Sequence, residues 1–164
     1  MNKNVLKAVI AGSLVASLGM GATAAHAATA SATAKAKILR QVTLTNSTDL
    51  QFGTIVSSPT ASTVVVSTAG ARTCGASLVC SGASTAAGFN VTGTNGQVVA
   101  VSVPASVTLT SGTFSMVANL ATSATSLTLA SNAGSFSVGG TLNVAADQDD
   151  GDYEGTFNVT ADYQ

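Results

Sequence analysis

From Ala28 onward, apolar and polar residues alternate with a period of two, interrupted at short intervals by Gly, Asn, Asp, Ser and Pro, and no stretch sustains a helical period. Residues two apart share one face of a strand, so this pattern predicts a run of short, half-buried strands. Val42 and Leu44 alternate with Thr43 and Thr45 in the first, and Asn46-Ser47-Thr48-Asp49 predicts a turn before a strand over residues 50–56. Residues 63–66 come next, then a cysteine-bearing loop and residues 87–92. Thr94-Asn95-Gly96 predicts a tight turn, since Asn and Gly accept positive φ. It leads into residues 98–103, closed by Pro104, and then residues 107–109, 114–117, 127–129 and 136–138. Gly139-Gly140 predicts a bend before residues 141–144, and a final strand is expected over residues 153–163. About nine or ten short strands in one domain predict a two-sheet β-sandwich.

Composition sharpens the fold class. The 164 residues are 46% hydrophobic and only 8% charged, the reverse of a disordered chain, so one domain with a core is expected. Thr and Val, which favour strands, are abundant, whereas the surface-helix formers Glu, Lys, Arg and Gln are scarce. The expectation is all-β.

The first residues read differently. Lys3 and Lys7 precede an uncharged run over residues 8–24, and Ala25-His26-Ala27 is an A-x-A cleavage motif. Together these predict a secretory signal peptide over residues 1–27, with the processed chain starting at Ala28. A transmembrane anchor is the alternative, but the run is at the short edge of a span and rich in Gly, Ser and Ala. No second run of that length follows, so the processed protein is expected to be soluble or assembled outside the inner membrane.

Removing residues 1–27 leaves Lys35, Lys37, Arg40 and Arg72 against seven acids, so a nucleic-acid partner is not expected. His26 is the only histidine. Without it, Ser-His-Asp and Cys-His catalysis and nearly all zinc or copper sites are excluded. The acidic run Asp147-Gln148-Asp149-Asp150-Gly151-Asp152-Tyr153-Glu154 fails the EF-hand pattern, with Gly151 and Asn158 where ligands are required, and reads as a charged loop. Cys74 and Cys80, the only cysteines, form an even pair, which in an exported chain predicts a disulfide. A redox pair would have C-x-x-C spacing, and only the nearby Arg72 speaks for one.

The two ends carry the functional signal. Ala28, Ala30, Ala32, Ala34 and Ala36 alternate with Thr29, Ser31, Thr33 and Lys35, and Ile38 follows Lys37. This is a strand with one small apolar edge, joined to the first core strand without a turn, so it has no evident partner in its own domain. At the other end Tyr153, Gly155, Phe157, Val159 and Ala161 share one face of the last strand, which stops at Tyr163-Gln164. A spare strand in front and an alternating strand behind point to strand exchange between copies. A low-complexity leader over residues 28–37 is the plainer alternative.

Leu50-Gln51-Phe52-Gly53-Thr54-Ile55-Val56, Gly139-Gly140-Thr141-Leu142 and the stretch from Gly151 to Tyr163 resemble the secreted bacterial family DUF 4402, which is similar to chaperone-usher fimbrial major subunits of the common-pilus type. Subunits of that route end in an alternating strand with Gly fourteen residues from the end and a penultimate Tyr; Gly151 and Tyr163 occupy those positions. The resemblance implies an immunoglobulin-like sandwich lacking one strand, lent first by a periplasmic chaperone at the outer-membrane usher and then by the next subunit. It implies that Gly151, Tyr153, Gly155, Phe157, Val159, Ala161 and Tyr163 border the acceptor groove.

The expected organisation is therefore a leader over residues 1–27, a donor segment over 28–38 and a sandwich over 39–164. The expected function is a structural subunit of a cell-surface fimbrium, exported through the periplasm, with copies of itself, a chaperone and an usher as partners. It is not expected to be an enzyme, and no cofactor, metal or small-molecule substrate is implied. The alternative is a non-polymerising exported binding module or adhesin that recognises a surface glycan.

Overall fold

The structure, a computed structural model, describes residues 27–164; the expected leader, save Ala27, lies outside the described residues. Residues 27–36 belong to a separate unit and carry no regular secondary structure, while residues 37–164 form the domain. Among the described residues there is no helix. The twelve strands are β1 (Thr43–Thr48), β2 (Thr54–Val56), β3 (Ser62–Val66), β4 (Arg72–Cys74), β5 (Val79–Ser81), β6 (Ala87–Thr92), β7 (Val98–Ser102), β8 (Ser106–Ser111), β9 (Phe114–Thr122), β10 (Ser126–Thr128), β11 (Ala133–Val144) and β12 (Thr160–Tyr163).

All pairings are antiparallel. The large sheet runs β1-β6-β11-β3-β4, with β9 and then β8 continuing it from the other edge of β11. A second sheet runs β10-β7-β12, and β2 pairs β5 in a separate ribbon. The all-β expectation is met, with sandwich-like layers. Period-two alternation sorts the faces: Ala87, Phe89 and Val91 of β6, Val64 and Val66 of β3, and Val99 and Val101 of β7 are buried, while Asn90, Thr92, Thr63 and Val65 are exposed. Each such Val or Phe, fully buried, contributes about 1.5–3 kcal/mol. One core gathers Phe89, Val91, Val99, Leu129, Phe136 and Val138 between the two sheets; the other gathers Phe52, Val64, Leu78, Ala118 and Leu142 under the ribbon side.

The long strand β11 organises both cores. Val138 pairs Ala87 on one edge and Thr122 on the other, and Gly140 likewise pairs Val66 and Leu120, so β6 and β3 share one edge of β11 end to end. The changeover falls at Gly139. The expected bend at Gly139-Gly140 is therefore absent, and the strand runs straight through both glycines. A Cβ at Gly139 would stand 2.7 Å from the Ser67 carbonyl carbon and 2.8 Å from the Thr68 nitrogen, because the chain leaving β3 crosses there. The glycine serves close backbone approach, not a turn.

Two other expectations change. The turn at residues 46–49 is instead a bulge, since β1 stays paired with β6 through Thr48 and its register shifts between Asn46 and Thr48. The strand over residues 50–56 is divided by Gly53 at φ 79°, leaving a lone bridge between Gln51 and Thr85 and the short β2. The turn at residues 94–96 forms as expected, with Gly96 at φ 73°.

Cys74 and Cys80 are bridged, their Cα atoms 6.1 Å apart, and join β4 to β5. The enclosed turn, in which the Leu78 amide donates to the Gly75 carbonyl at 2.9 Å, sends Leu78 into the second core. Closing so short a loop is worth about 2 kcal/mol. Replacing both cysteines with serine is expected to lower unfolding stability by about that amount in urea titration; an unshifted midpoint would show the bridge to be dispensable.

Candidate functional site

A sheet edge must find partners for its N–H and C=O groups, and among the described residues β1, β4, β8, β10 and β12 each carry a ladder on one side only. β1 pairs β6 along one side only, and β12 pairs β7 along one side only. Among the described residues, no backbone hydrogen bond joins residues 40–50 to residues 153–164. The free edges of β1 and β12 border a seam.

The seam is apolar along its length. Val42, Leu44 and Leu50 on the β1 side and Phe157, Val159, Ala161 and Tyr163 on the C-terminal side are only half-buried, all packed against the first core. Asn46 stands opposite Phe89 in the ladder and hence on the core-facing side, yet it is exposed. Phe89 stacks on Phe136 at 5.2 Å and meets Phe157 edge-on at 6.3 Å, so the half-buried Phe157 rests on a buried aromatic pair that forms the floor of the seam.

The C-terminal segment is not the single strand expected over residues 153–163. It touches β8 through one bridge between Thr110 and Glu154, then joins β7 as β12 from Thr160. Between these points residues 155–159 have no ladder on either side. The segment is changing sheets there, and the alternation of Phe157 and Val159 with exposed Thr156 and Asn158 records only which side faces the core. Gly155 lies against β8, where a Cβ would sit 3.0 Å from the Thr108 carbonyl carbon. Gly151 lies beside Ser111, away from the seam. Tyr153 is also elsewhere: its hydroxyl donates to the Asp149 carbonyl at 2.9 Å and accepts from Gln148 Nε2 at 2.8 Å, closing the acidic loop on itself. Among the described residues, no three His, Cys, Asp or Glu side chains come together to hold a metal. Ala28, Ala30, Ala32, Ala34 and Ala36 are exposed and in no strand, and Ile38 is 91% exposed.

Two residues carry contacts that alternation does not announce. The Tyr163 hydroxyl accepts from the Thr94 amide and donates to the Arg40 carbonyl, both at 2.7 Å, so the end of β12 is tied to the β6–β7 turn and to the approach to β1. Arg72 Nη1 donates to the carbonyls of Phe52 at 3.0 Å and Ser81 at 2.8 Å. It therefore ties β4 to the chain before β2 and to β5, and with the cysteines bridged it has no thiol to activate.

The sequence profile of a domain of unknown function, DUF4402, matches residues 42–163. The chain belongs to the DUF4402 family. The matched span opens on Val42 and closes on Tyr163, so both borders of the seam lie at the limits of the DUF4402 domain and residues 28–38 lie in front of it. No curated protein and no solved structure matches the chain.

Proposed function

We propose that this DUF4402 protein is a structural subunit of a bacterial surface fibre, in which residues 28–38 of one copy lie as a strand in the seam of the next. The observation that carries the reading is the seam itself: two unpaired edges flanking half-buried apolar residues over an aromatic floor. Strand order supports it. One layer runs β1-β6-β11-β9 and the other runs β12-β7-β10. An immunoglobulin-type sandwich has four strands in the first arrangement and places its last strand beside the equivalent of β12, where among the described residues this domain has none. An added strand supplies the missing ladder, and side-chain alternation fixes its register.

In this reading residues 1–27 are removed on export, a periplasmic chaperone occupies the seam until an outer-membrane usher exchanges it for the next subunit, and the product is a cell-surface fimbrium. Exported protein run on an SDS gel without boiling is expected to give a ladder of multiples of the subunit that collapses on heating. A single monomer band from folded protein would replace the fibre reading with that of an exported binding module.

A further inference from the structure

The seam and the segment proposed to fill a neighbour's seam meet in sequence at residues 37–42, and this junction is held by side chains of the domain. Thr43 pairs Thr92 at the start of β1, and Tyr163 pairs Val99 at the end of β12, so both borders of the seam come together at the β6–β7 turn. There the Thr94 amide donates to the Tyr163 hydroxyl, that hydroxyl donates to the Arg40 carbonyl, and the Arg40 amide donates to Thr94 Oγ1, each at 2.7 Å. Lys37 Nζ donates to Gln97 Oε1, also at 2.7 Å, extending the attachment toward residue 37. The Tyr163 ring is fixed from below, since a Cβ on Gly93 would stand 3.3 Å from its Cζ.

We infer that Tyr163 is a positioning residue that keeps a subunit from filling its own seam. For residues 28–38 to lie beside the β1 of the same chain, the chain would have to reverse between residues 38 and 43, a hairpin loop of about two to five residues. Such a reversal turns the Arg40 peptide groups, and both the N–H and the C=O of Arg40 are already held, by Thr94 and Tyr163. The closed ring of three hydrogen bonds makes the reversal costly and leaves the seam to another copy. This inference rests on the strand-donation reading above.

The test is Tyr163→Phe in the full chain, which keeps the ring packing and removes both hydroxyl bonds. The monomer-to-multimer ratio on unboiled gels is expected to rise about fivefold or more, the equilibrium weight of one hydrogen bond. The accumulating monomer is expected to resist trypsin at Lys35 and Lys37, both exposed in the wild-type structure, because its own segment now covers them. Thr94→Val, which frees the Arg40 amide alone, is expected to shift the ratio in the same direction and serves if Tyr163→Phe does not fold. Tyr153→Phe, which loosens only the acidic loop, is expected to behave as wild type. A Tyr163→Phe protein with the wild-type ladder, or one whose monomer is cut as fast as wild type, overturns the inference, as does an unchanged ratio in Thr94→Val. A wild-type protein that gives no ladder removes the strand-donation reading itself.

Discussion

A chain lacking residues 28–36 is expected to be exported in normal amount and to form no multimers. Without a donor, the edges of β1 and β12 stay unpaired and the apolar strip from Val42 to Leu50 and from Phe157 to Tyr163 stays half-covered. The same segment attached behind Gln164 through a short flexible linker is expected to restore solubility as a monomer. The gain in stability is carried largely by the ladder, because alanine methyls bury little apolar area, and is expected as a rise in the unfolding midpoint of about 4 °C for each kcal/mol gained. Small donor side chains suit this seam because its floor is already filled by Phe89 and Phe157. Fibres from the deleted chain, or an unchanged midpoint in the fused one, would discard strand donation.

Gly139→Val is expected to be the most damaging single change in the domain. The new side chain would have to occupy space taken by the backbone of residues 66–68, and backbone cannot step aside as the tip of a side chain can. A loss of more than about 3 kcal/mol is expected in chemical denaturation, enough in a domain of ordinary stability to leave little folded protein. Gly96→Ala provides the contrast. Gly96 has positive φ but nothing within 4 Å of an added Cβ, so only the backbone conformation is penalised, by about 1 kcal/mol. Equal effects of the two substitutions would mean that the crossing at Gly139 can relax.

The comparison of these glycines also explains what could be read in advance. At Thr94-Asn95-Gly96 the residue types and the turn they make are local, and the expectation held. At Gly139-Gly140 the same residue type answers a chain crossing more than seventy positions away in sequence, from β3, which no local pattern contains. Alternation located β3, β6 and β7 because each has one face on a core. It said less about β4 and β5, three residues each beside the disulfide, where there is too little length for a period to show. The C-terminal stretch is the most instructive. Its apolar positions were legible to the last residue, but alternation reports burial of side chains and is silent on hydrogen bonding of the backbone. Residues 155–159 therefore read as a strand although nothing pairs with them. The Tyr163 attachment was hidden for a related reason: its partners are the amide of Thr94 and the carbonyl of Arg40, groups that every residue but proline carries.

The sharing of β11 between two neighbours on one edge has a consequence for how the chain reaches this structure. β11 pairs with β6, with β3 and with β9, and its partners in β3 and β6 are made long before it. Until it arrives, neither core can close, because Val138 belongs to the first and Leu142 to the second. Topologies so dominated by distant pairings fold slowly, on the scale of milliseconds to seconds, since a large loop must close before any contact rewards it. During that interval β3 and β6 present bare edges to other chains. If the chain is exported N-terminus first, β11 follows β3 and β6 across the membrane, so the period of greatest risk of mispairing falls before the domain has gained its central strand.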